Sequence, residues 1–155
     1  MTSYQNYVDG EWREPSNGEY FETTDPASPN DVVAEYPRSV AKDANAAVEA
    51  AVSAQGDWAA TPAPERGAIL RGAGSILADR KEELTQLLIR EEGKTHAEAS
   101  GEVQRAVDIF YYFAEKTRDL GGSVKSSSKP QSGLYTVDVP VGVAALITPW
   151  NYPIA

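Results

Sequence analysis

Residues 141 to 148, Val-Gly-Val-Ala-Ala-Leu-Ile-Thr, are almost continuously apolar and show no side-to-side alternation. A strand with one wet face alternates, whereas a run apolar on both faces is the pattern of a parallel strand covered by helices on either side. Parallel neighbours are reached by crossover connections, usually helical, so this run predicts an α/β fold with further strands beside it. The residues that follow, 149 to 155, are too few to supply them. The chain therefore reads as the amino-terminal part of a larger α/β protein, stopping at Ile154-Ala155 without a cap or polar tail.

In open α/β sheets, ligands sit at the carboxyl ends of the strands. At that end stands Thr148-Pro149-Trp150-Asn151-Tyr152-Pro153. Pro149 and Pro153 fix φ on both sides, so the Asn151 carboxamide can be a preset N–H donor toward an oxygen that gains negative charge. The same residues also describe an Asn that caps a turn before Tyr-Pro, the commoner role of a lone loop Asn. Trp150 has two readings as well, as the wall of a cofactor pocket or as packing at a strand end.

Upstream, the chain divides into three segments. Residues 1–40 read as short strands and turns, with hairpin dipeptides at Asp9-Gly10 and Asn17-Gly18, loop chemistry at Asp25 to Asn30, and a strand over Val32 to Tyr36. Residues 41–122 read as a helical segment. An Ala-rich amphipathic helix runs from Ala41 to about Trp58, and the Thr61-Pro62-Ala63-Pro64 break separates it from a helix that bends near Asp79 and stops at Gly93. Thr95-His96-Ala97-Glu98 is a capping box opening a further helix, whose apolar face is Val103, Ala106, Val107, Phe110 and Ala114 and whose end is Gly121-Gly122. Residues 123–140 read as a polar connector followed by an alternating, half-exposed strand, Leu134 to Val139, that could add to a partner's sheet edge, and residues 141–155 carry the first core strand and the Asn loop.

Charge and composition exclude several functions. Asp and Glu number 23 against 14 Lys and Arg, a net charge of -9, which repels phosphate backbones and anionic membrane surfaces. No nucleic-acid or membrane partner is expected. The acidity, with Arg ahead of Lys, suits a protein kept soluble at high salt, and it equally suits ordinary bacterial acidity. There is no cysteine, hence no disulfide, thiolate metal site or cysteine nucleophile. Without a basic, apolar leader or a membrane-length apolar run, a cytoplasmic location is expected. His96, the one histidine, reads as a solvated helix residue and no metal site is expected. Arg71-Gly72-Ala73-Gly74-Ser75 reads as close helix packing because it lacks the spacing of a dinucleotide fingerprint. Glu91, Glu92 and Lys94 read as a charged helix end, and the aromatic cluster Phe110 to Phe113 as core and interface.

Val141-Gly142-Val143 through Ile147-Thr148-Pro149-Trp150-Asn151-Tyr152-Pro153 closely resembles the segment of aldehyde dehydrogenases that bears the oxyanion-hole asparagine. Val8-Asp9-Gly10-Glu11-Trp12, Asp25-Pro26-Ala27, Trp58, Glu65-Arg66, Arg80, Glu83-Leu84 and Glu91-Glu92-Gly93-Lys94 fall in that family's order, so the resemblance covers nearly the whole chain. Glu92-Gly93-Lys94-Thr95 and Glu98-Ala99-Ser100-Gly101-Glu102-Val103 are similar to the semialdehyde group, such as the 2,5-dioxopentanoate (α-ketoglutarate semialdehyde) dehydrogenases. The resemblance implies an aldehyde-dehydrogenase-like α/β fold, of which this chain would hold β-hairpins, long helices and the first strand of a parallel cofactor-binding sheet. It implies oxidation of an aldehyde to a carboxylate through a cysteine thiohemiacetal, with NAD or NADP as cofactor and a homo-oligomeric parent. Asn151 would be an oxyanion donor, and Thr148, Pro149, Trp150 and Asn151 would line the nicotinamide end of the cofactor. The family's nucleophilic cysteine, general-base glutamate and cofactor loop would lie beyond residue 155, so the chain alone is expected to be inactive and to aggregate or stay molten unless partnered. The alternative is a non-catalytic remnant or interaction module that uses exposed strands.

Overall fold

Asp9 and Gly10 both take positive φ, 57° and 78°, the two left-handed residues of a type I′ turn, whose twist matches that of a hairpin. They join β1 (Asn6–Val8) to β2 (Glu11–Arg13), antiparallel, with Tyr7 opposite Trp12 and their rings 4.9 Å apart. The computed structural model describes residues 2–155. Asn17-Gly18 is a turn, as expected, but not a hairpin. The Gly18 N–H donates to the Pro15 carbonyl, and the chain then leaves β2 for another sheet.

That second sheet pairs β3 (Tyr20–Asp25) with β4 (Ser28–Pro37). Strand β4 starts at Ser28, earlier than the expected Val32. The register explains both readings: Asp25 faces Ser28 and Thr24 faces Val32, so residues 29 to 31, including Pro29, bulge out of the ladder. The Arg90 guanidinium donates to both carboxylate oxygens of Asp31 in this bulge, at 3.0 and 3.1 Å.

Four helices follow. In α1 (Ala41–Ala60) the Asp43 carboxylate accepts from the N–H groups of Val40 and Ser16 and so satisfies the helix start. The expected apolar stripe of α1 buries nothing, and Val48 and Val52 stay exposed. The next helix is broken rather than bent: α2 (Ala63–Asp79) ends at Arg80 and α3 (Lys81–Glu92) begins there. Gly93, at φ 75°, is the left-handed cap of α3. Helix α4 (His96–Lys116) opens with the Thr95/Glu98 capping box, complete in both directions, and closes into a 3-10 turn, Thr117–Asp119, short of Gly121.

The core lies between these helices. Ala99, Val103, Ala106, Val107 and Ala114 line the buried face of α4, with Leu88 of α3 against Ala99 and Val103. Helix α2 approaches α4 through Gly67 and Gly74. A Cβ at Gly67 would lie 2.5 Å from the Ala114 carbonyl oxygen, and one at Gly74 would lie 2.9 Å from the Tyr111 ring. The glycine-containing stretch Arg71 to Ser75 is thus helix packing.

Two strands depart from expectation. Part of the polar connector is a strand, β5 (Val124–Ser126), paired antiparallel with β6 (Gly133–Tyr135), and the expected strand over Leu134 to Val139 shrinks to β6. Residues 141 to 148 are not a strand at all, and Val141, Leu146 and Ile147 are 96%, 87% and 94% exposed. A central parallel strand exists only through its neighbours' backbone groups, and the described residues place no strand beside 141–148. The expected first strand of a parallel sheet is therefore absent here, and the α/β character resides in four helices and three small antiparallel sheets. Among the described residues no helix is long and apolar enough to cross a membrane.

Candidate active-site turn

Pro149 to Tyr152 form a turn closed by the Tyr152 N–H, which donates to the Pro149 carbonyl at 3.2 Å. Thr148, Pro149, Trp150 and Asn151 are all exposed, Trp150 at 65%. Thr148 leads into this turn, and the structure brings no catalytic partner to the Asn151 side chain among the described residues.

What holds the turn comes from α3 and α4. The left-handed cap at Gly93 redirects the chain after α3, and the capping box at Thr95 starts α4 immediately, so Lys94 sits in the elbow between them. Its ammonium bonds Glu92 at 2.8 Å and Glu102 directly, and donates to the backbone carbonyl of Asn151 at 2.9 Å. It also lies 5.1 Å from the centroid of the Tyr152 ring, within cation–π range. The other Glu102 oxygen accepts from the Ile154 N–H at 2.9 Å. Ile154 itself packs on the Leu88, Ala99, Val103 cluster. A lysine and a glutamate thus grip the backbone at Asn151 and Ile154, on either side of Pro153.

The electrostatics of this grip are those of a buried ion cluster. The Glu102 side chain is 0% exposed and that of Glu92 is nearly so. A buried carboxylate is tolerable only with a charge partner and hydrogen bonds, which Lys94 and the Ile154 N–H provide for Glu102. Burial pushes the Lys94 ammonium down, but Glu102 and Glu92 outweigh it and hold its pKa above the usual lysine value. Lys94 is therefore a fixed cation at neutral pH.

Lys94, read from the sequence as part of a charged helix end, is the hub of this cluster. Glu102 was missed as a functional residue. Its signal is present in the sequence, a carboxylate within the apolar face that contains Ala99, Val103 and Ala106. His96 is exposed, with Nε2 3.5 Å from the Glu82 carboxylate. No metal-binding cluster occurs among the described residues. Tyr111 and Tyr112 line a surface depression along α4, remote in sequence from the turn.

Residues 12–155 match the model of the aldehyde dehydrogenase family. The chain is 60% identical over 151 residues to an alpha-ketoglutarate semialdehyde dehydrogenase of Haloferax volcanii, an alignment covering 97% of this chain and 31% of the relative. It is 36% identical to an alpha-ketoglutaric semialdehyde dehydrogenase of Bacillus subtilis, across 100% of this chain and 32% of the relative. Among solved structures, a 3,6-anhydro-L-galactose dehydrogenase in complex with NAP superposes with a TM-score of 0.91 at 33% identity, over 99% of this chain and 32% of that one. The chain spans about a third of the length of the curated relatives it matches.

Proposed function

The chain belongs to the aldehyde dehydrogenase family, and we propose that it forms the part of an NAD- or NADP-dependent semialdehyde dehydrogenase that presents Asn151 to the reacting aldehyde oxygen. The observation that carries this reading is the turn itself: the Asn151 carbonyl is bonded to Lys94 while its side chain stays exposed. A carboxamide N–H on a fixed backbone stabilises an oxyanion without reorganising as the charge develops. A semialdehyde of a dicarboxylic acid is the substrate class suggested by the relatives named above.

Thr148, Pro149 and Trp150 suit the nicotinamide end of the cofactor. They are uncharged, adjacent and exposed, and the indole offers a flat apolar face. The bound cofactor would supply hydride acceptance from the substrate carbon, and these residues would orient its ring and exclude water beside Asn151. The covalent step requires a thiolate, which a chain with no cysteine does not hold. Residues 1–155 alone would turn over no aldehyde. The hairpin β5–β6, with Val124, Leu134 and Tyr135 exposed, supports a second role for this segment, contact between copies in a homo-oligomer.

The test is turnover by the native protein, given a dicarboxylic semialdehyde with NAD+ or NADP+, together with the intact mass of the active species. The reading expects reduced nicotinamide to form and a mass well above 16.7 kDa. An active species of 16.7 kDa, or a larger native protein that oxidises no semialdehyde, would overturn it.

A further inference from the structure

We propose that Lys94 and Glu102 are positioning residues for Asn151, setting where its carboxamide points by fixing the backbone on both sides of Pro153. The inference rests on the proposed oxyanion role of Asn151. It is carried by the juxtaposition of the Lys94 ammonium with the Asn151 carbonyl at 2.9 Å and of the Glu102 carboxylate with the Ile154 N–H at 2.9 Å.

Three features make this more than a chance surface contact. First, the holding groups are rooted in rigid structure, since Glu102 sits mid-helix with its side chain wholly buried and Lys94 is confined between two helix caps. Second, the bonds go to main-chain atoms, so they fix the path of the turn whatever the neighbouring side chains are. Third, the Glu102 and Lys94 heads bond each other, so displacing either one loosens both grips. The Tyr152 ring beneath the ammonium and Ile154 on the Leu88, Ala99, Val103 cluster hold the same segment by dispersion and burial. With the segment between Asn151 and Ile154 tethered at both ends and stiffened by Pro153, the Asn151 side chain has little left to vary besides its own rotamer.

Oxyanion stabilisation is sensitive to placement, and a shift of about 1 Å at such a donor can lower turnover by about 10²-fold. Neither Lys94 nor Glu102 is proposed to touch substrate, so the effect should fall on kcat, with KM for the cofactor changing by no more than about two-fold.

The experiment is a double-mutant cycle in the dehydrogenase as its gene encodes it, with Lys94→Met, Lys94→Arg, Asn151→Ala and the Lys94→Met/Asn151→Ala pair. Retained helicity by circular dichroism is required of each variant. Where Lys94→Met fails it, Glu102→Gln, which keeps the cluster's volume but turns one of the two acceptor oxygens into an N–H donor, takes its place in the cycle. The expected result is a kcat for Lys94→Met lower by about ten-fold to 10²-fold, partial rescue by Lys94→Arg, and a pair no slower than Asn151→Ala alone. Loss of Ile154 amide protection from hydrogen exchange in Glu102→Gln is expected alongside. Losses that multiply in the pair, or a folded Lys94→Met with normal kcat beside a crippled Asn151→Ala, would overturn the positioning role alone. Normal turnover in Asn151→Ala would overturn the oxyanion reading and this inference with it.

Discussion

Replacing Gly67 and Gly72 by alanine, one at a time, should change stability in opposite directions although both lie in α2. A glycine-to-alanine change in a helix interior gains about 1 kcal/mol from backbone entropy. At Gly72 a new Cβ would meet nothing within 4 Å, so the full gain should appear. At Gly67 the same Cβ would lie 2.5 Å from the Ala114 carbonyl oxygen, with the Thr117 hydroxyl also in the way. That carbonyl belongs to the backbone of α4 and accepts from Thr117 Oγ1 at 2.7 Å, so the helices must separate, an overpacking penalty of about 1–3 kcal/mol. The two variants should therefore differ by about 1–3 kcal/mol, with Gly67→Ala between neutral and about 2 kcal/mol destabilised. Urea unfolding of dilute protein, followed by far-ultraviolet circular dichroism, reads the helices directly. With a slope of about 1–3 kcal/mol per molar, the midpoints should separate by about 1 M. Equal stabilisation by both alanines would refute the close α2–α4 contact.

Further expectations follow from titration and from exposed surface. Burial, then Glu91 and Tyr4, push the Tyr36 phenol from 10.0 up to about 12. Because the folded pKa is raised, the associated stability is fully present below the unfolded value and is lost as pH climbs from 10.0 toward 12. A spectrophotometric titration should show a late tyrosine that is missing in Tyr36→Phe, and simultaneous ionisation of all eight would contradict this. The Asp43 carboxyl is held low by the Val40 N–H and then by that of Ser16. Its contribution is present above the usual aspartate range and is lost as pH falls through the depressed folded value, so Val40 and Ser16 amide protection should disappear in acid and be weak at all pH in Asp43→Ala. Pairs of acid-insensitive amides would exclude that cap. Residues 1–155 alone should self-associate through Val141, Leu146 and Ile147, with light scattering that rises with concentration and falls in Leu146→Lys/Ile147→Lys. A strictly monomeric chain would contradict it.

What was legible in the sequence was whatever a few adjacent residues decide among themselves. Asp9-Gly10 closes a hairpin, Gly93 caps α3 and Thr95/Glu98 opens α4, because each satisfies backbone groups within four residues of itself. The Asn151 turn belongs to the same class, since Pro149 and Pro153 shape it locally. The run 141–148 is the opposite case: its apolar pattern describes a strand that exists only with distant partners, which the described residues do not bring alongside. The helix α1 forms where the sequence places it but its stripe stays uncovered, because an amphipathic face states that something should cover it without saying what. The contact of Lys94 with Glu102 and the Asn151 backbone escaped notice because it is tertiary. A lysine beside glutamates resembles any solvated helix end until a residue 57 positions away is found bonded to it.

The central claim is that Asn151 donates to the oxygen that gains charge during aldehyde oxidation, and the turnover of Asn151→Ala in the full dehydrogenase tests it most directly. Loss of a single oxyanion donor predicts a kcat lower by about 10²- to 10³-fold with cofactor affinity little changed. A folded Asn151→Ala enzyme with near-normal kcat would contradict the account.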